Sequence, residues 1–516
     1  MSITGDRAAS PSRATQADRA GPEAQGSHAA SFDSVSPATG ELVGSFPIDG
    51  AEEVAAAVAR AREAGAWWAG LGFSGRRARL LAYKRLLARR ADELCDLVHR
   101  ENGKPRDDAL IEVLLVTEHL DWAARRARRT LGRQRVSPTL LTRNLSAWIE
   151  YRPFGVVGVI GPWNYPVFTP LGSIGYALAA GNAVVFKPSE HTPAVGRWLQ
   201  ERFAEVVPEQ PVFQVVTGLG ATGEALCRSG VDKIAFTGSP ATGRRVMAAC
   251  AERLTPVLLE LGGKDAMIVD GDADLDAAAR AAVWGGIANA GQTCIGIERV
   301  YAVAPVYDRF VEKVVERAKA LRAGPEADAD LGPITMPGQL DVIRRHLDDA
   351  LARGGRALVG GPDSVHPPFA EPVVLVDVPE DALVMREETF GPLLPITRVR
   401  DLDDAVARAN GLGYGLGGAV FGRRRANAAA SALRAGMVSV NSVQSYAGVA
   451  ALPFGGIGES GFGRVHGDQG LRELSVVKSV VRQRIRLPLD VTTFERPAST
   501  MDRLRKVIRL RHGRSG

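Results

Sequence analysis

Between Val156 and Glu260 the chain repeats one pattern: a short apolar run, a turn marked by Gly or Pro, then a helical stretch. The runs are VVGVI (156–160), AVVF (183–186), VFQVV (212–216), KIAF (233–236) and PVLLE (256–260). They are too short for helices and too continuously apolar for strands with one wet face. Helices are expected after Pro166 and over 193–207, 222–228 and 241–253. Strand and helix in strict alternation predict a parallel sheet covered on both faces, with ligands at the carboxyl ends of its strands.

A second α/β region runs from AMIVD (266–270) to Asn441, with helices expected over 274–288, 307–321, 403–410 and 424–434. A Gly-rich run, PFGGIGESGFGR (453–464), follows it. Ahead of both regions stand a turn-rich opening strand (32–45) and helical patterns over 51–69, 76–100 and 107–131. Pro138 to Arg152 and Leu474 to Leu487 alternate in part. They could pair into a small antiparallel sheet whose exposed edge favours another subunit.

Charge and cysteine content narrow the function classes. The 516 residues are 45% hydrophobic and 24% charged, which excludes collagen, coiled coil and a disordered chain. Net charge is +6. The arginines of the early helices alternate with Asp and Glu at i±3 and i±4, as on solvated helix faces, and no aromatic residues interleave with them. No nucleic-acid partner is expected. Six bases against Asp502 place +5 of the charge in residues 501–516. There a short helix with Met501, Leu504, Val507 and Ile508 on one side allows weak contact with a membrane surface; the competing reading is a tail that packs on a neighbouring subunit or stays disordered.

The four cysteines include no CxxC pair, so neither a disulfide framework nor a metal site is expected, and the usage suits a reducing, cytoplasmic setting. Residues 1–31 have no apolar h-region and cannot build a core, so they are expected to be disordered. No charge occurs from Phe154 to Phe186, but Gly155, Gly158, Gly161, Pro162, Pro166 and Pro170 break the stretch. A buried strand, loop and helix explain it better than a transmembrane span.

Several segments carry chemistry. Gly218-Leu-Gly220-Ala-Thr-Gly223 fits GxGxxG, but it follows the third strand and no acid closes the next one, so a Gly-rich turn is the competing reading. Gly238-Ser239-Pro-Ala-Thr-Gly243 also joins a strand to a helix start, where Ser239 can cap and free N–H groups favour an anion. Lys187 and Glu190, at the carboxyl end of AVVF, could hold a ribose diol or form an ordinary loop ion pair. Cys294, in GQTC (291–294), sits in a Gly-flanked loop open to a substrate, whereas Cys227 and Cys250 fall on helical patterns and read as inert. Glu260 leaves an apolar strand just before two glycines, where burial would raise its pKa and suit it as a base. Asn164, in PWNYP (162–166), is either a turn residue or an amide donor for an oxyanion.

With EETFGP (387–392) and PFGGIGESGFG (453–463), these segments resemble the NAD(P)-dependent aldehyde dehydrogenase superfamily over residues 32–487. PWNYP, KPSE (187–190), FTGSPATG (236–243), LELGGK (259–264) and GQTC stand in the family's order, with its 34-residue spacing from Glu260 to Cys294. The resemblance implies two Rossmann-like doubly wound domains and a small antiparallel oligomerisation element. The NAD-binding domain would comprise 32–137 and 153–262, the catalytic domain 263–464, and the oligomerisation element 138–152 and 474–487, with a basic tail at 498–516.

The resemblance also assigns roles. Cys294 becomes the nucleophile, Glu260 the activator of the hydrolytic water, and Asn164 an oxyanion donor. Lys187 and Glu190 bind the adenosine ribose, and Gly238, Ser239 and Gly243 line the pyrophosphate. Glu388 meets the nicotinamide ribose, with Phe390 beside its ring and Trp163 in the cofactor set. A carboxylate at Glu190 favours NAD, while Lys187 leaves NADP open. A homodimer or homotetramer is implied.

The departures bear on substrate. Gly458 stands where many members have Lys, and the loop Asn441 to Leu452 has no Arg or Lys. An apolar or aromatic aldehyde therefore fits better than succinate semialdehyde. A CoA-acylating dehydrogenase would generally lack the base at Glu260. A non-catalytic use of the fold sits poorly with Asn164, Glu260, Cys294 and Glu388 together.

Overall fold

The computed structural model describes residues 30–139, 142–326, 329–485 and 493–513. The expectation for residues 1–31 lies outside these, except at its end. Ser31 already opens the strand Ser31–Val35, which pairs antiparallel with Leu42–Pro47.

The alternating region forms a six-stranded sheet. Its order is Gly461–Phe462, Val257–Glu260, Lys233–Thr237, Val156–Ile160, Ala183–Lys187, Phe213–Val215. The chain lays Val156–Ile160 at the centre, builds outwards twice, then crosses to the other side. That reversal opens the usual ligand crevice between the carboxyl ends of Val156–Ile160 and Lys233–Thr237. All five residues of Val156–Ile160 are buried, as a strand covered on both faces requires. The sixth strand comes from the Gly-rich run and is antiparallel, with Gly461 opposite Glu260. Gly461 has φ +97°, and a Cβ there would stand 2.0 Å from the Leu259 carbonyl oxygen, so this edge needs glycine.

The second region builds a seven-stranded sheet around Asp265–Val269 and Ile297–Val303, parallel except for Arg356–Val359 at one edge. Its helices are Leu275–Ile287, Tyr307–Ala318, Leu402–Ala409 and Ala426–Ala432, with others between them. Asp274 and Asp401 cap the first and third by accepting backbone N–H groups, satisfying donors that a helix start leaves free. Each large sheet has its own apolar core.

Leu145–Pro153 and Ser475–Gln483 pair antiparallel along their full lengths, and Gln134–Val136 adds a third, unforeseen strand. Val477 and Val481 on the outer strand are 59% and 60% exposed. The uncharged stretch is a strand, a loop and the buried helix Phe168–Ala180. No helix among the described residues is long and apolar enough to cross a membrane.

Two expectations for the early helices need correction. The segment 76–100 is not one helix: Gly72–Arg89 ends at Arg90 (φ −111°, ψ 26°), and Ala91–Asn102 starts anew. Nor are all the charges solvated. Arg76, Glu101 and Glu112 are buried, because each serves backbone groups of the neighbouring layer. Glu101 accepts from the Ala194 and Val195 N–H groups, both at 2.8 Å, at the start of the helix Pro193–Val206. Glu112 accepts from Val167 and Phe168, both at 3.0 Å, where Phe168–Ala180 begins. Both are carboxylates at positive helix ends, supplied from another helix.

Candidate active site

The loop carrying Cys294 is shaped by three successive left-handed residues, Asn289 (φ 55°), Ala290 (φ 53°) and Gly291 (φ 72°). They end the helix before it and turn the chain back. A Cβ on Gly291 would lie 2.2 Å from the backbone of Gly391, so GQTC and EETFGP touch main chain to main chain. Gln292 fastens the turn, donating to the Asn289 and Pro333 carbonyls at 3.0 and 3.2 Å and accepting from the Thr335 N–H at 2.9 Å.

The Gly262-Gly263 pair lets the strand of Glu260 meet the same place. A Cβ on Gly263 would stand 2.9 Å from the Cys294 carbonyl oxygen, and one on Gly262 would collide with the Glu388 carboxylate at 2.1 Å. The Gly263 N–H donates to Glu388 at 3.0 Å. Burial, and then the neighbouring Glu298 charge, push Glu388 up to about 8.

Cys294 and Glu260 both line one cavity of about 250 Å3. Burial pushes the Cys294 thiol up, with the charges of Glu388, Asp265 and Glu260 adding to it, while the Ile295 N–H at the sulfur pulls the other way. Glu260 is buried, and neither of its carboxylate oxygens has a hydrogen-bond partner. Desolvation raises its pKa well above the carboxylate range, opposed only in part by Arg464. The Gly-rich run covers it closely: a Cβ on Gly455 would lie 2.7 Å from Glu260 Oε1. The Asn164 amide donates to the Gln292 carbonyl at 3.0 Å, two residues before Cys294, and Tyr165 bonds to the Thr293 hydroxyl at 3.0 Å. An amide carries two N–H donors, so Asn164 keeps a second one.

Away from the cavity, Lys187 is buried at the end of its strand, 3.4 Å from the Glu190 carboxylate. Burial lowers the Lys187 pKa, and it works against Glu190, which Lys187 nevertheless holds below its ordinary value. Ser239 caps the twelve-residue helix Pro240–Ala251 by accepting from Thr242 N–H. The Gly238 N–H donates to the Glu260 carbonyl at 3.1 Å, tying this turn to the strand of Glu260. Gly243 packs on Leu261, whose Cδ2 would be 2.6 Å from an added Cβ. Trp163 and Phe390 meet edge to face at 5.5 Å. The GxGxxG turn is a neighbour: an added Cβ on Gly223 would be 3.7 Å from Lys187 Cδ. Cys227 and Cys250 are buried on helices.

Sequence reasoning missed three features. Lys264 and Glu298 form a buried ion pair, and Glu298 also accepts from the Thr389 and Phe390 N–H groups at 2.8 and 2.9 Å, holding the loop of Glu388. His466 lines the cavity at φ 61° with its ring 4.0 Å from that of His119. Burial and then His119 push it well below its ordinary pKa, so it is neutral. Lys104 and Glu112 form a second buried pair, in which Lys104 also donates to the Asn164 carbonyl at 2.8 Å. Only burial distinguishes these charges from solvated ones, and no local pattern signals it. Lys104→Met is expected to cost about 3–5 kcal/mol by stranding Glu112, read as a lower denaturation midpoint. Lys104→Met with Glu112→Leu should cost less than the single change; equal or greater loss would show that the pair is not the cause.

Known proteins resemble this chain along most of its length. The aldehyde dehydrogenase family profile matches residues 24–480. A Methylomonas protein, 4,4'-diapolycopene aldehyde oxidase, is 38% identical over 90% of this chain and 88% of its own. A Mycolicibacterium smegmatis protein named for NADP+-dependent succinate-semialdehyde dehydrogenase is 37% identical over 87% of this chain and 88% of its own. The crystal structure of an NAD-dependent aldehyde dehydrogenase from Sinorhizobium meliloti superposes with a TM-score of 0.85 at 32% identity, covering 90% of this chain and 93% of that one. The doubly wound sheets, the convergence of the glycine-marked loops on Cys294 and the match along most of the sequence have one source: the chain belongs to the aldehyde dehydrogenase family.

Proposed function

We propose that this chain oxidises an apolar or aromatic aldehyde to the carboxylic acid with NAD, through a thioester on Cys294. The observation that carries the proposal is the shared cavity: a cysteine and an unpartnered, buried carboxylate open on one apolar space.

The residues fit the dinucleotide. A capped helix start at Ser239 suits a pyrophosphate. Glu190, with its side chain 41% exposed beside Lys187, suits a ribose diol, and the Gly262 contact seats Glu388 against the same crevice. When bound, the nicotinamide accepts the hydride.

The Cys294 thiol passes its proton to water, and the thiolate sulfur attacks the aldehyde carbon and forms the C–S bond. The aldehyde oxygen becomes an oxyanion, for which the second Asn164 N–H and the Cys294 backbone N–H are donors. Loss of hydride from that carbon leaves a thioester. Glu260 in its ionised form takes a proton from water, the hydroxide adds to the thioester carbon, and the C–S bond breaks. The acid leaves and the thiolate is restored.

Substrate class follows from the cavity lining. Ile111, Leu115, Phe168, Trp284, Val443 and Phe454 contribute to it, and among the described residues no Lys or Arg does. A substrate carboxylate would be buried there without a cation, at a cost worth roughly 10–100-fold in kcat/KM. Across an aldehyde panel, aliphatic and aromatic aldehydes are expected to exceed succinate semialdehyde by that factor. A semialdehyde ranking first would overturn the substrate reading, and NADP exceeding NAD in the same assay would overturn the cofactor reading. The Glu190→Gln change is expected to narrow the preference for NAD, because it removes the charge facing a 2′-phosphate. The strands Leu145–Pro153 and Ser475–Gln483 form the oligomerisation element in this reading, with the partner subunit on the exposed strand Ser475–Gln483.

A further inference from the structure

The helix Ala498–His512 stands outside both cores, and Thr500 is its one buried residue. It carries five bases, Arg503, Arg505, Lys506, Arg509 and Arg511, against one acid, Asp502. At 3.6 residues per turn, Met501, Leu504, Val507 and Ile508 fall in a stripe about 120° wide. Arg505, Arg509, Lys506 and Arg503 occupy the rest of the circumference together with Leu510, and Arg511 falls within the stripe at the last turn. The stripe is partly open to solvent: Met501, Val507 and Ile508 are 37%, 36% and 51% exposed, Leu504 is half-buried, and Phe494, just ahead of the helix, is fully exposed.

We propose that this helix lies in the surface of an anionic phospholipid bilayer, apolar stripe down, and holds the enzyme there. Three observations select that occupant. The charge of the molecule is concentrated here, since residues 501–516 carry +5 of the +6, and each exposed base adds attraction to an anionic leaflet. The apolar stripe has no role on a nucleic acid, and the helix has no aromatic side chain to stack on bases. Four apolar side chains fall far short of the roughly 800 Å2 per partner of a stable protein interface, whereas an interfacial helix needs only a shallow apolar face with a basic remainder. The cavity lining is apolar too, with Ile111 and Trp284 exposed by 40% and 47%, which suits an aldehyde partitioned into lipid. The membrane proposal does not depend on the proposed chemistry, because vesicle binding requires no turnover.

The test is co-sedimentation of the full chain with vesicles of phosphatidylcholine alone and of phosphatidylcholine with phosphatidylglycerol. Binding is expected only to the anionic vesicles and should be lost at high salt. A chain ending at residue 497 is expected to stay in the supernatant while oxidising a short soluble aldehyde at the full rate. Val507→Ser with Ile508→Ser, which leaves the charge unchanged, should weaken binding several-fold. Arg505→Gln with Arg509→Gln should weaken it by about tenfold or more. Equal pelleting of the full and shortened chains, or no pelleting of the full chain, overturns the proposal. So does a drop in oligomer mass on shortening, by light scattering, since the helix would then be covered by a second copy.

Discussion

Cys294→Ala is expected to lower aldehyde-dependent NADH formation by about 10⁴-fold or more, the scale of losing a covalent nucleophile. The change removes the only atom that can carry the acyl group. The other three cysteines are buried elsewhere, so none can substitute. Cys294→Ser should fall nearly as far, because a hydroxyl in this buried setting ionises far less readily than a thiol. NAD affinity by calorimetry should stay near that of the unchanged protein, since the proposed dinucleotide contacts lie at Lys187, Glu190, Ser239 and Glu388. The substitution Cys250→Ala, made in a helix, should leave turnover intact. Substantial activity in Cys294→Ala, with purity established, would end the thioester mechanism.

The second large effect separates the two halves of the reaction. Glu260→Gln keeps shape and removes the base, so it should block hydrolysis and spare acylation. Rapid mixing with aldehyde is then expected to show a burst of about one NADH per site, followed by a steady rate about 10²–10⁴-fold below normal. No burst, or an unchanged steady rate, contradicts the role given to Glu260.

The sign of the pH effect follows from the same burial. The ionised form is the base, and desolvation raises its pKa well above the carboxylate range. Steady turnover should therefore fall as pH drops through that raised value, on a limb above the range of ordinary carboxylates. Glu260→Gln should lose the limb. Stability has the opposite sign. A carboxyl whose pKa is higher folded than unfolded holds its proton in the folded state, and stability falls as pH rises from the unfolded value through the folded one. Glu260→Gln should consequently be more heat-resistant than the parent at neutral to alkaline pH, which rules out unfolding as the reason for slow turnover.

What the sequence revealed follows from which interactions leave a local pattern. Strands buried on both faces must be apolar throughout, so VVGVI and AVVF stood out, and their alternation with helices indicated a parallel sheet without giving its strand order. Cys294 and Glu260 stood out because glycines flank them, and the structure shows what those glycines do: Gly262, Gly263, Gly291 and Gly455 are sites of close approach between loops distant in sequence. Glu101 and Glu112 looked like solvated helix charges because i±4 spacing says nothing of the layer beneath, where they cap other helices. The break at Arg90 lacked Gly or Pro. Glu298 and His466 lie in segments whose periodicity is unremarkable, and only the folded chain brings them to the site. Nor could a two-residue strand such as Gly461–Phe462 carry a period.

That short strand has a consequence for the order in which the protein becomes itself. Gly461 pairs with Glu260 across 201 positions of sequence. At roughly 5–20 residues per second of synthesis, the ribosome needs about 10–40 s to travel that distance. Until then the strand Val257–Glu260 is an open sheet edge, and the carboxylate lacks the cover that Gly455 and its neighbours give it. Glu260 is thus wet on the nascent chain, and is buried only when the last tenth of the chain arrives. A polypeptide released before Gly461 would carry cysteine, amide and carboxylate together, yet should hydrolyse an acyl enzyme poorly and aggregate through the unpaired edge.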